Sequence, residues 1–197
     1  WFFEVRRIAP FAGRGHDVDV ILDLMIHDID IIAHLVKRPV ERIEAVGVPV
    51  LTGTIDIANA RLNFEGGAIA NVSVSRAAFH SERTIRIFQP ELYISLDYGK
   101  KKLKIYSKSG GVDLLGFPKI EIQEKDVAER DALFDEIDSF LDAVVNRTEP
   151  IVSGLDGLRA LALAEQIREA VEKSSALMAR ECAGAGSSSV IEQRANA

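Results

Sequence analysis

Hydrophobic positions recur with different periods in successive parts of this chain. Residues 1–8 alternate, with Phe3, Val5 and Arg7 pointing one way and Glu4, Arg6 and Ile8 the other, and this two-residue period predicts a strand. A turn-rich loop, Pro10-Phe11-Ala12-Gly13-Arg14-Gly15-His16, follows it. Asp17 then stands where an N-cap would open a long helix running to about Val36. Lys37 and Arg38 suit the negative end of that helix, and Pro39 stops it. From Val40 to about Val127, short runs of Val, Ile, Thr, Phe and Tyr are separated by Gly, Pro and Asp. Glu65-Gly66-Gly67 reads as a hairpin turn and Gly99-Lys100-Lys101-Lys102 as another. Gln89-Pro90 marks a strand boundary, because proline cannot donate to a ladder. Six or seven strands joined by short turns imply antiparallel neighbours.

Two helical stretches follow. In residues 129–146, Leu133, Phe134, Ile137, Phe140, Leu141 and Val144 share one side; in residues 154–173, Leu158, Leu161, Ala162, Ala164, Ile167 and Val171 do the same. Ala, Gly and Ser dominate residues 183–197, which predicts a disordered tail and leaves 1–182 as one folded domain. The expected fold class is α+β: a large, mostly antiparallel open sheet with the helices packed on one face. Several strands carry apolar or small residues on both faces, as in Ile57-Ala58-Asn59-Ala60-Arg61-Leu62. The uncovered face is therefore expected to be an oligomer interface. The opening strand has no turn before it, which suggests a chain cut from a longer one.

Composition narrows function by exclusion. The 197 residues carry a formal net charge of −6, with a pI near 5.3, and this argues against a nucleic-acid or anionic-membrane footprint. Hydrophobic and charged fractions of 47% and 27% are globular averages, which excludes wholesale disorder. The single cysteine, Cys182, forms no internal disulfide and points to a reduced, cytoplasmic setting. No apolar run reaches the ~20 residues that span a bilayer.

The first helix holds the candidate chemistry. Asp19, Asp23, His27, Asp30 and His34 are spaced four, four, three and four apart, which lines them along one stripe of a regular α-helix. Val20, Ile21, Leu24, Met25, Ile26, Ile29, Ile31 and Ile32 cover most of the remaining circumference. A helix apolar nearly all round is buried, so its polar seam must meet a wet cavity, counter-charges or a ligand. Asp23 and His27 can pair at i, i+4. A carboxylate on one ring nitrogen fixes the imidazole tautomer and leaves the other free for proton transfer. A satisfied core histidine is the plain alternative. A metal site is a third reading, although one helix seldom supplies more than two or three ligands and only His16 and His80 stand elsewhere.

The run Leu22-Asp23-Leu24-Met25-Ile26-His27-Asp28-Ile29-Asp30 resembles the substrate-domain signature of the glucose–fructose oxidoreductase/inositol dehydrogenase (Gfo/Idh/MocA) family. In that family an Asp-x-x-x-His helix follows the first strand of the second domain, and a large open sheet comes next. The resemblance covers about residues 1–175. It implies the substrate half of an NAD(P)-dependent dehydrogenase acting on a sugar or polyol. His27 would take the proton from the substrate hydroxyl, Asp23 would orient His27, and Asp30 would contact substrate. The nucleotide-binding domain, with its Gly-x-Gly-x-x-Gly turn and Glu-Lys-Pro lysine, has no counterpart in these residues; Gly13-Arg14-Gly15 lacks the third glycine. NAD or NADP would thus be bound mainly elsewhere, and the chain alone is expected to be inactive. The resemblance also implies a homodimer or homotetramer formed through the sheet. Arg7-Ile8-Ala9-Pro10-Phe11 together with the helix motif looks like a subgroup acting on nucleotide-activated amino sugars, whose phosphates Arg6, Arg7 and Arg14 would meet near the helix start. A stand-alone sugar-binding or assembly module and a metal-dependent hydrolase or lyase are the competing functions.

Overall fold

The computed structural model describes residues 1–13, 17–112, 115–127 and 130–184, without the side chains of 180–184. Strand β1 spans Phe2–Pro10. A π turn over Ile21–Met25 runs into helix α1, Ile26–Val36. Seven strands follow: β2 Val40–Val48, β3 Ile57–Phe64, β4 Ile69–Ala78, β5 Glu82–Gln89, β6 Leu92–Asp97, β7 Lys102–Val112 and β8 Pro118–Asp126. Helices α2, Ala132–Asn146, and α3, Gly154–Gly184, come last. The strands form one eight-stranded sheet in the order β2-β3-β4-β1-β5-β6-β7-β8. Every neighbouring pair is antiparallel except β1–β4, where β1 is inserted between β4 and β5. This is the expected α+β architecture.

Alternation along the strands decides which face meets the helices. Phe3 and Val5 of β1 lie in register with Ala70 and Val72 of β4, which lie in register with Leu62 and Ala60 of β3. All six are buried, and with Ile21, Met25, Ile29, Ile32, Ile167 and Val171 they form the core under α1 and α3. Small side chains allow this close packing. At Gly47 of β2 a Cβ would lie 2.8 Å from both Ile55 Cγ2 and Val171 Cγ1, so α3 fits against this edge strand only without one.

Three expectations change. The helix starts later than Asp17: Asp19 caps it, accepting from the Ile21 and Leu22 amides at 2.9 and 3.1 Å. Helix α2 does not pack on the sheet face as α1 and α3 do. Its apolar residues Leu133, Phe134, Ile137, Phe140, Leu141 and Val144 are all more than half exposed. Helix α3 continues through Gly184, so the first two residues of the expected tail are helical, and the rest of that tail lies outside the described residues.

The far face of the sheet is also more polar than the strand composition suggests. Ala58, Ala60 and Leu62 all point to the helix side, which leaves Asn59 and Arg61 on the other. There Asn59 Nδ2 donates to Ser73 at 2.8 Å, Arg61 donates to Asn71 at 3.1 Å, and Arg86 lies 3.7 Å from Glu4. Alongside these polar rows runs an aromatic one. Phe2, Phe88, Tyr93 and Tyr106 occupy one register line across β1, β5, β6 and β7 and stack with centroids 5.7, 4.8 and 5.0 Å apart.

Candidate functional site

The site is built on the junction between β1 and the helix that carries Asp23 and His27. Helical bonding does not run at the α period there. The Ile26 amide donates to the Ile21 carbonyl, a five-residue step that widens one turn. Asp23 lies within this π turn and His27 just beyond it. Both side chains are exposed, and no hydrogen bond joins them in this structure. Asp30 is half-buried and His34 exposed.

Ion pairs with buried carboxylates fix the turn from several sides. Asp19 leaves the expected polar seam altogether: it is buried, caps the helix, and its other oxygen lies 2.8 Å from Arg168 Nε of α3. Burial alone would lower the Arg168 pKa, but the carboxylates of Asp19 and Glu165 outweigh it and raise it. The chain entering the helix is held by a second pair. Asp56 is fully buried and accepts from the Val50, Leu51 and Thr52 amides at 2.7, 2.6 and 2.8 Å, and from Arg76 Nε at 2.7 Å. Arg76 in turn donates to the Val18 carbonyl at 2.7 Å, and the Val20 amide donates to the Ile55 carbonyl at 3.0 Å. Burial opposes ionisation of Asp56, yet Arg76 and the converging amides win and hold its carboxyl well below the usual range.

The third pair sits beside His27. Asp28 is buried and takes a two-pronged contact from Arg7, with Nε and Nη2 both at 2.7 Å. That hydrogen bond raises the Arg7 pKa against the opposing effect of burial. Asp28→Ala would strand a half-buried guanidinium, so we expect a loss of about 2 kcal/mol in chemical denaturation. Asp28→Glu, which keeps the charge, should recover part of it.

The sequence-derived residues are therefore only partly brought together. Asp23, His27 and Asp30 share the clamped helix. Arg7 lies close to them but is committed to Asp28. Arg6, its neighbour in β1, points to the opposite face of the sheet, 3.6 Å from Glu82, away from α1. Arg14 lies outside the described residues. Sequence reasoning missed Asp28, Asp56 and Arg76. Asp28 is adjacent to His27, and its invisible partner stands 21 residues away. The run Thr52-Gly53-Thr54-Ile55-Asp56 does carry a loop signal, an acid closing a turn of hydroxyl residues. Among the described residues no group of three or more His, Cys, Asp or Glu side chains is arranged to hold a metal ion, and no helix is long and apolar enough to cross a membrane.

Comparison with known proteins places this geometry. Residues 9–95, which hold the π turn, α1 and the first half of the sheet, match the family model described as the GFO/IDH/MocA C-terminal domain. Over 171 residues, 87% of the chain, it is 39% identical to UDP-N-acetylglucosamine 3-dehydrogenase of Acidithiobacillus ferrooxidans. The match covers 54% of that relative, so the chain spans about half the length of the curated protein it resembles. The solved structure of that dehydrogenase, GnnA, superposes with a TM-score of 0.80 at 38% identity, covering 87% of this chain and 55% of that one. A levoglucosan dehydrogenase structure in complex with NADH and L-sorbose shares the fold, with a TM-score of 0.72 at 16% identity over 87% of this chain and 56% of that one. In both fold and sequence, the chain belongs to the Gfo/Idh/MocA family, as a C-terminal domain of that family.

Proposed function

We propose that this chain is the substrate-binding and proton-handling part of an NAD(P)-dependent dehydrogenase that oxidises a hydroxyl of a sugar, with a nucleotide sugar as the substrate class. The observation that carries this reading is the exposed Asp23–His27 pair on a turn clamped by three ion pairs, each with a buried carboxylate. A group that must exchange a proton with a ligand needs open access and a fixed backbone, and this turn supplies both. His27 would accept the hydroxyl proton, Asp23 would steady the imidazole as it becomes charged, and Asp30 would lie alongside the bound sugar. Identity of 39% to a UDP-N-acetylglucosamine 3-dehydrogenase supports the nucleotide-sugar class.

The described residues do not fit a dinucleotide. Such a site needs a parallel strand–turn–helix unit with a Gly-x-Gly-x-x-Gly turn, whereas the one parallel pair here joins β1 to β4 with no such turn between strand and helix. The hydride acceptor, NAD or NADP, would be held outside this chain. The exposed apolar side of α2 supports a partner unit packed there. The aromatic row on the far face of the sheet supports self-association of the chain into a dimer or tetramer through that face. A lone cysteine fits a reducing, cytoplasmic compartment.

The test is an assay of the longest reading frame that contains this chain. NADH or NADPH formation with UDP-N-acetylglucosamine, and its absence with a 3-deoxy analogue, is the expected result. Sugar binding without any reduced cofactor, across a panel of nucleotide sugars, would replace this reading with a non-catalytic binding module.

A further inference from the structure

Seven arginines lie in the strands: Arg6, Arg7, Arg42, Arg61, Arg76, Arg83 and Arg86. Six have an acid or amide partner: Glu82, Asp28, Glu44, Asn71, Asp56 and Glu4 respectively, leaving out Arg83. The exposed Arg83 side chain has none among the described residues. In the β1–β5 register it lies directly opposite Arg7, on the same face of the sheet. Like charges in a cross-strand pair repel. Asp28 neutralises Arg7 and so relieves the repulsion, but its two oxygens are both taken by Arg7. One uncompensated positive charge remains. A broken local rule of this kind, with no structural return, is characteristic of a functional position.

Its position gives the charge a use. Arg83 faces the helix side of the sheet, one strand beyond Arg7, whose partner Asp28 is adjacent to His27 in α1. The next residue along the line is Tyr98, whose amide donates to the Arg83 carbonyl at 2.9 Å. Neighbouring strands are about 4.8 Å apart, so Arg83 and Tyr98 step away from the His27 helix by one and two strand widths. Burial and the nearby Asp28 carboxylate raise the Tyr98 pKa, which keeps its phenol protonated and available as a donor. Beyond this line, among the described residues, neither α1 nor α3 packs extensively on β5–β8.

Resting on the dehydrogenase reading for its choice of ligand, we infer that Arg83, with Tyr98 next to it across the β5–β6 ladder and its phenol near the Arg7–Asp28 pair, is the anion-binding edge of the substrate site and takes the diphosphate of a nucleotide sugar whose ring lies against His27. A guanidinium offers several donors in a fixed fork, which suits phosphate oxygens, and the second donor at Tyr98 suits a group with two phosphates in line.

Calorimetric titration of the chain with UDP, inorganic pyrophosphate and N-acetylglucosamine tests this, comparing the natural sequence with Arg83→Ala, Arg83→Lys and Tyr98→Phe. UDP and pyrophosphate should bind about tenfold or more weakly to Arg83→Ala, with partial recovery in Arg83→Lys and a smaller loss in Tyr98→Phe. Binding of the uncharged sugar should not change. Because Arg83 is exposed and opposes Arg7, Arg83→Ala should unfold at the same or a higher temperature, so a loss of binding is not a loss of fold. Equal UDP affinity in the natural chain and Arg83→Ala, or no binding of either diphosphate probe to the natural chain, overturns the inference. Turnover by the complete enzyme reads the dehydrogenase assignment separately. Diphosphate binding that depends on Arg83 without any turnover keeps the anion site and removes the dehydrogenase. Turnover with a KM that ignores Arg83→Ala does the reverse.

Discussion

Replacing His27 with alanine is expected to lower turnover of the complete enzyme by about 10²–10⁴-fold, the usual worth of a positioned general base, while leaving thermal unfolding unchanged. The two readouts separate because the imidazole is exposed and makes no contact that holds the fold. Its neighbour Asp28 behaves in the opposite way, being buried and bonded to Arg7. Exchanging the two positions in a mutational survey would therefore give mirror-image results, with activity lost at 27 and stability lost at 28. Asp23→Asn should show a smaller effect concentrated in kcat, since an amide keeps the size and polarity of the side chain but no longer stabilises the charged imidazole. A His27→Ala enzyme that retains full kcat would remove His27 from proton transfer.

The largest expected loss of stability is at Asp56. Asp56→Ala leaves the buried Arg76 guanidinium without its carboxylate and strips the Val50, Leu51 and Thr52 amides of their acceptor. Breaking a buried pair in this way costs about 3–5 kcal/mol, a large share of the roughly 5–15 kcal/mol that holds a domain together. The midpoint in urea should fall accordingly. The acid limb carries the same information. Asp56 titrates at lower pH in the folded chain than its ordinary value of about 3.9, so its contribution is complete above that pH and is lost as pH falls below it. Asp56→Asn should thus flatten stability against pH in the acid range. An unchanged acid limb would mean that the carboxylate contributes little.

The helix illustrates how far the sequence could be read. Its hydrophobic circumference, its stop at Lys37-Arg38-Pro39 and the exposed Asp23 and His27 follow from residue types and spacing. Asp19 leaves the stripe that runs to His34, because it turns inward to cap the helix and meet Arg168, and the π turn over Ile21–Met25 adds a residue to the turn that follows it. Nothing in the side chains of that turn announces it. The long-range partners were equally hidden. Arg7 and Asp28 are 21 residues apart, Asp56 and Arg76 are 20 apart, and only the folded register shows that Arg7 and Arg83 lie side by side. The apolar side of α2 was legible as a pattern, yet periodicity says that a face wants burial without saying what buries it.

The place of β1 in the sheet sets the order in which this fold can be assembled. Strands β2–β4 form one meander and β5–β8 another, each made of neighbours in sequence that can pair as soon as they exist. Every ladder bond between the two meanders passes through β1, whose Phe2 pairs with Ile69 on one side and Phe88 on the other. The segment at the start of these residues thus gains its full ladder only once both β4 and β5 exist, since its two edges pair with one strand of each meander. Closure of β1 is the event that turns two small ribbons into one sheet. It also seats Arg7 under Asp28, so the helix that carries Asp23 and His27 depends on β1 for its setting.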